Sequence, residues 1–176
     1  MRALLVLLLV GCSGAPPVQS DPPGPSVELV VVNATDQTVH LVNTVSCGFD
    51  ALDVVAPDGR PMRRNAGQSH SCEWTRGTDP CPVAGACMNP PTQALEPGQR
   101  WSTTWDGRAV ETRHQEATAP GCPSDCSVWV RVADGAYRVR ARAHTGCEGE
   151  CTGEPGLEVT GTVRVGSDRQ LELTLR

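Results

Sequence analysis

Nine cysteines and four histidines give this 176-residue chain most of its capacity for chemistry. Residues 144–151, HTGCEGEC, gather His144, Cys147 and Cys151 with Glu148 and Glu150. Such a cluster can be half of a zinc site, a redox pair or a closed disulfide. A second C-x3-C element, Cys122 and Cys126, is followed by twenty residues before Cys147, so the two together could offer four thiolates to one metal. His70 with Cys72, Cys81 and Cys87 is another possible ligand set, and Cys47 stands alone. No C-x-x-C occurs, which speaks against a thioredoxin-like redox motif. Nucleophilic catalysis has little support: there is no G-x-S-x-G, and Ser69-His70-Ser71 has no recognisable acid partner. His40, His70, His114 and His144 are scattered along the chain, and no glycine pattern suits a phosphate.

Which state the cysteines take depends on the compartment. MRALLVLLLVGC carries one Arg, an apolar run over Ala3–Val10 and then Gly11-Cys12. That run is far short of the roughly 20 residues a spanning helix needs, and it suits a secretory signal. Leu9-Val10-Gly11-Cys12 resembles the lipobox of bacterial lipoproteins, which implies cleavage before Cys12 and lipid attachment to its thiol. Ser13 rather than Asp after the cysteine implies outer-membrane sorting in such a family. Two or three acyl chains would anchor the protein stably. With Cys12 lipidated, eight cysteines remain: Cys47, Cys72, Cys81, Cys87, Cys122, Cys126, Cys147 and Cys151. An even number in an oxidising compartment makes disulfides their expected state, with no metal and no cofactor.

These residues need a scaffold. Residues 1–11 read as the signal peptide and 12–25 as a lipidated tether, since SGAPPVQSDPPGP holds five prolines and little to bury. At roughly 3.1 Å per residue the tether reaches about 40 Å. A single domain is expected over 26–176. Only six residues are aromatic, so its core must rely on Val, Leu and Ala. VELVVVN and TVHLVNT flank a turn at 34–37 and suggest a hairpin. ALDVVAPDG, QRWSTTWDG, SVWVRV, AYRVRARA, LEVTGTVRV and RQLELTLR read as further strands, and 60–92 as a Cys-rich loop. The fold class is all-β, a sandwich of seven or eight antiparallel strands stapled by disulfides. Trp101 and Trp105 share one strand face and suit the core better than a carbohydrate platform.

One hairpin can be written in register. With Asp134-Gly135 as a two-residue loop, Val132 faces Tyr137, Val130 faces Val139 and Val128 faces Ala141. Trp129 then lies among Arg138, Arg140 and Arg142 on a solvated face. Extending the ladder puts Cys122 opposite Cys147, so Cys122–Cys147 with Cys126–Cys151 is the preferred pairing. Local loops 122–126 and 147–151 are the rival. Cys47–Cys72 with Cys81–Cys87 completes the set, and His144 is expected to face solvent.

The order VVNATDQTVHL, FDALDVVAPDG, TQALEPGQRWSTTWDG and DGAYRVRARA resembles the BsuPI-type domain, named for a bacterial intracellular proteinase inhibitor. The resemblance spans roughly residues 29–143 and implies an immunoglobulin-like sandwich. In it Pro97-Gly98 turns into a strand, Trp105 anchors the core and Tyr137 opens a late strand. The segment between Gly59 and Thr92 departs from that pattern, so inhibition follows only weakly.

The net charge of −5, with fifteen Arg and no Lys, excludes a basic nucleic-acid binder. The expected function is that of a lipid-anchored, non-catalytic module of the bacterial envelope, attached to the membrane by its lipid and engaging an envelope protein. The alternatives are a surface proteinase inhibitor acting through the 60–92 loop and a metal-binding or thiol-based sensor. Asn33-Ala34-Thr35 is a formal glycosylation sequon, which a bacterial lipoprotein would leave bare.

Overall fold

The computed structural model describes residues 18–42, 50–73, 92–115, 124–147, 151 and 155–176. Among them the chain is all-β, with eleven strands in chain order. β1 is Val27–Asn33, β2 Val39–Val42, β3 Leu52–Val55, β4 Pro61–Met62, β5 Thr92–Leu95 and β6 Arg100–Trp105. β7 is Arg108–His114, β8 Asp125–Arg131, β9 Gly135–Thr145, β10 Leu157–Val165 and β11 Gln170–Leu175. One sheet has the order β11-β1-β6, and the other runs β4-β3-β9-β2-β5 with β10 also on β9. β7 and β8 form a two-stranded sheet of their own. Residues 74–91, the greater part of the expected Cys-rich loop, lie outside the described residues.

Alternation builds the core between the two large sheets. Val27, Leu29 and Val31 of β1 and Leu173 and Leu175 of β11 are buried. They meet Leu52 and Val54 of β3, Val39 and Leu41 of β2, and Tyr137, Val139, Ala141 and Ala143 of β9 in one cluster. Trp105, 2 % exposed, enters the same cluster, and Trp101 packs half-buried against it. The two tryptophans therefore serve the core, as their shared face suggests.

Pairing departs from the sequence expectation in three places. β1 and β2 do not form a hairpin. β1 pairs parallel with β11 and antiparallel with β6, so the sandwich is not antiparallel throughout, while β2 pairs with β5 and the end of β9. The cause is Asn33, which is fully buried. Its Nδ2 donates to Gln37 O and Leu95 O, both at 2.8 Å, and its Oδ1 accepts from Thr35 N and Thr35 Oγ1. This side chain turns the chain out of one sheet and ties it to β5 of the other. The apparent sequon is a structural clamp whose amide is already fully used.

β8 and β9 also fail to form the Asp134-Gly135 hairpin. A type I′ turn needs positive φ at both central residues, and neither has it. Instead Val132 N donates to Gly107 O, and Tyr137 Oη donates to Ala133 O at 2.7 Å, four residues upstream. That bond is the tyrosine corner of immunoglobulin-like sandwiches. Trp105 meets the Tyr137 ring edge-on at 5.4 Å between centroids. β8 accordingly pairs with β7, while β9 pairs with β3 and β10. Pro97-Gly98 does turn into β6: Gln99 N donates to Glu96 O, and Gly98 holds φ of 79°, which a side chain would strain.

The third departure is at the N-terminal side. The chain runs along the small sheet well before residue 26. Asp21 N donates to Trp129 O at 2.7 Å, Arg131 N to Asp21 Oδ2 at 2.8 Å, and Gly24 N to Asp106 O at 2.8 Å. Arg108 fastens this strap. Its guanidinium lies 5.1 Å from the Trp129 ring, pairs with Asp106 and donates to Asp21 O. Trp129 is thus covered by a cation, but the cation is Arg108 and not the β9 arginines.

Replacing Asn33 by Ala leaves the buried Leu95 carbonyl without its donor, while the Gln37 carbonyl keeps Thr35 Oγ1. It should cost about 1–3 kcal/mol in urea denaturation, since an orphaned buried polar group carries its desolvation penalty. A loss within about 0.5 kcal/mol, the range of ordinary surface changes, would contradict the clamp.

Candidate functional site

Two regions of the described residues concentrate chemistry, one at each end of β9. At its C-terminal end, the outward row of β9 carries Arg138, Arg140, Arg142 and His144. Asp53 on neighbouring β3 receives Arg140 at 2.7 Å and Arg142 at 3.0 Å, and Glu158 lies 3.6 Å from Arg140. Asp53 hydrogen-bonding raises the pKa of Arg140 further. The arginine row is largely paired across strands, as a solvated sheet face should be.

His144 differs from that expectation. It is 8 % exposed although it sits on the outward row. After Thr145 the chain reverses at Gly146, whose φ of 70° suits glycine, and brings Cys147 and Cys151 back over the imidazole. The donor atoms of His144, Cys147 and Cys151 all lie within 4.8 Å of one another. His40 of β2 is the register partner of His144 in the antiparallel ladder, so the two side chains stand on the same face. Its Nδ1 is buried without a hydrogen-bond partner among the described residues. Glu148 and Glu150 lie outside them.

The disulfides correct the preferred pairing. Cys147 bonds to Cys151, the local rival, and Cys126 bonds to Cys72, which excludes both Cys126–Cys151 and Cys47–Cys72. The reason is the corner at Tyr137. Once β8 leaves β9 for β7, Cys126 lies beside residues 70–72 instead, where Cys72 N donates to Ser127 O and Ser127 N to His70 O. Cys12, Cys47, Cys81, Cys87 and Cys122 lie outside the described residues. Cys72 and Cys126 are each 1 % exposed and form a second small core with Val128, against which Val18 of the strap packs. Cys147 and Cys151 are partly exposed. His70 remains in the Cys72 segment through its backbone, whereas His114 is an exposed surface residue paired with Asp125 at 3.0 Å.

At the other end of β9 lies a cleft of about 440 Å³ between the β3–β4 hairpin and the β7–β8 sheet. Met62, Val110, Val130 and Tyr137 give it an apolar floor, and Asp58, Arg60, Arg63, Glu111, Arg131 and Asp134 a rim of balanced charge. Sequence reasoning missed it because it is made by strand pairings that alternation does not specify. Burial raises the Tyr137 pKa, and Asp134 and Asp58 add to the effect. No known protein family matches the chain, and neither does any curated protein or solved structure.

Two outcomes follow. In the chain-entropy description, a bond across 54 residues stabilises by about 4 kcal/mol and one across four by about 2. Replacing Cys72 and Cys126 together by Ala should therefore cost roughly twice as much in denaturant as replacing Cys147 and Cys151. The opposite order would contradict the assignment of the structural staple.

Tyr137 is the only tyrosine in the chain, so phenolate absorbance reports it alone. Its midpoint should lie above 10 in the folded protein and return to about 10 in urea. Because the folded pKa is the higher one, stability is fully present below pH 10 and declines as pH rises toward the folded value. A folded midpoint at or below 10 would contradict the buried corner.

Proposed function

We propose that the protein is a lipid-anchored, non-catalytic binding module of the bacterial envelope, held close to its membrane and engaging an envelope protein through the cleft beside Tyr137. The single observation that carries the binding role is that cleft. An apolar floor ringed by convergent polar groups is the common form of a ligand-receiving surface. Three arginines and three carboxylates on the rim suit a polypeptide segment that inserts an apolar side chain and carries both charges beside it.

The strap supports the short distance to the membrane. Val18 is already packed against the small core, and it lies only six positions after Cys12. Fully extended, six residues span at most about 20 Å. A lipid on Cys12 would therefore keep the β7–β8 sheet within about that distance of the acyl chains, half the reach of a tether running to residue 25. The resemblance to the BsuPI-type domain agrees with the tyrosine corner but lends the cleft no activity. The inhibitor alternative gains no observation from the described part of residues 60–92.

A photoreactive amino acid at Met62, in the cleft, and another at Glu172, on the far sheet, test the reading in intact cells. Met62 should yield a discrete crosslinked envelope protein, lost when Val130 is replaced by Arg, and Glu172 should not. Equal yields, or a product indifferent to Val130→Arg, would contradict the cleft as the binding surface. Cys12→Ala should abolish fatty-acid labelling and release the protein from membranes. Unchanged labelling would contradict the anchor.

A further inference from the structure

The cleft leaves the opposite end of β9 unused, and there the side chains are those of a metal site. We propose that opening the Cys147–Cys151 disulfide converts this end into a binding site for a zinc-class divalent ion, with Cys147, Cys151 and His144 as ligands and His40 as the fourth. The inference does not rest on the membrane anchor or on the cleft.

Four observations carry it. His144, Cys147 and Cys151 already bring their donor atoms within 4.8 Å of one another. A tetrahedral ion with Zn–S near 2.3 Å and Zn–N near 2.0 Å needs ligand atoms roughly 3.5 Å apart, so small movements suffice once the sulfurs separate. His40 stands beside His144 in register, outside that 4.8 Å group, and its Nδ1 is buried without a partner among the described residues, so a turn of its ring toward the ion would give the Nδ1 a partner. Two thiolates and two imidazoles are a donor set suited to zinc.

Access differs between the two disulfides. Cys147 and Cys151 are partly exposed, whereas Cys72 and Cys126 are 1 % exposed within a small core. Thiol–disulfide exchange needs an approach to sulfur, so the Cys147–Cys151 bond opens first. A dithiol supplies the two electrons and two hydrogens. Its thiolate attacks one sulfur, the mixed disulfide resolves as the dithiol closes on itself, and Cys147 and Cys151 are left as thiols. Binding of the divalent ion then releases both thiol protons. The site is therefore empty when oxidised and available when reduced, while Cys72–Cys126 keeps the fold stapled in both states.

The test uses the full-length mature chain, reduced with a dithiol that is then removed without oxygen, and titrated with Co²⁺ as the probe for zinc. The reduced protein should take up one equivalent, with the thiolate charge-transfer and d–d absorption of a tetrahedral site. Cys147→Ser and Cys151→Ser should each weaken the thiolate band and together abolish it, and His144→Ala should weaken binding at least ten-fold. His40→Ala should retain the thiolate band while altering the d–d spectrum. Near-ultraviolet circular dichroism shows whether each variant keeps its packing, and the Cys147→Ala/Cys151→Ala double variant serves if a serine variant does not. Equal cobalt binding by the oxidised chain would overturn the proposal, as would an unchanged spectrum in the cysteine variants, which would assign the metal to other cysteines. So would thiol labelling that finds Cys147 and Cys151 free in a chain that binds no cobalt, or still bonded after Cys72–Cys126 has opened. An unchanged spectrum in His40→Ala would overturn the place of His40 as fourth ligand.

Discussion

The hydrogen bond from the Tyr137 hydroxyl to Ala133 O fixes the course of the chain between β8 and β9, and most of what distinguishes this sandwich depends on it. With the phenol tied back four residues and its ring held edge-on by Trp105, the chain turns a corner and changes sheets. β8 is thereby released to β7, and β9 is left to bridge β3, β10 and β2. Cys126 is carried to Cys72, and Cys147 and Cys151 are left to each other at the far end of β9. The cleft opens at the corner itself, between the diverging β3–β4 hairpin and the small sheet.

The two ends of β9 have different surroundings. One end opens on the cleft between the β3–β4 hairpin and the small sheet. The other is covered by a four-residue disulfide loop, which contributes little entropy and leaves its sulfurs reachable. Of the two described disulfides, the one that contributes more to stability is in the small core, sealed by Val18 and Val128. In the chain-entropy description, losing the outer bond costs the fold less than losing the inner one.

Much of the strand content was legible from the sequence because alternation reports which residues face a core. Val27, Leu29 and Val31, or Tyr137, Val139 and Ala141, are buried as their spacing requires. Alternation does not report which strand lies alongside, and the β1–β2 and β8–β9 hairpins failed for that reason. Both were undone by a single polar side chain, Asn33 in one case and Tyr137 in the other, whose hydrogen bonds reach residues that spacing does not connect. β4 and β5 were too short to show a period, and β7, with its exposed Thr112–His114 end, carried too few apolar positions. Cysteine parity anticipated that disulfides form, but the pairings depend on topology. The cluster at His144 was visible as composition, whereas the burial of its imidazole and its neighbour His40 were not.

The pairing of the four described disulfide cysteines tests the corner most directly, and the arginines of this chain make it readable by tryptic mapping without reduction. Cys72 falls in peptide 65–76, Cys126 together with Cys122 in peptide 114–131, and Cys147 with Cys151 in peptide 143–164, and fragmentation between Pro123 and Asp125 tells which cysteine of 114–131 carries a link. The corner predicts that 65–76 is linked to 114–131 and that 143–164 is closed on itself. A link between 114–131 and 143–164 would mean that β8 and β9 form a hairpin after all, and would contradict the account.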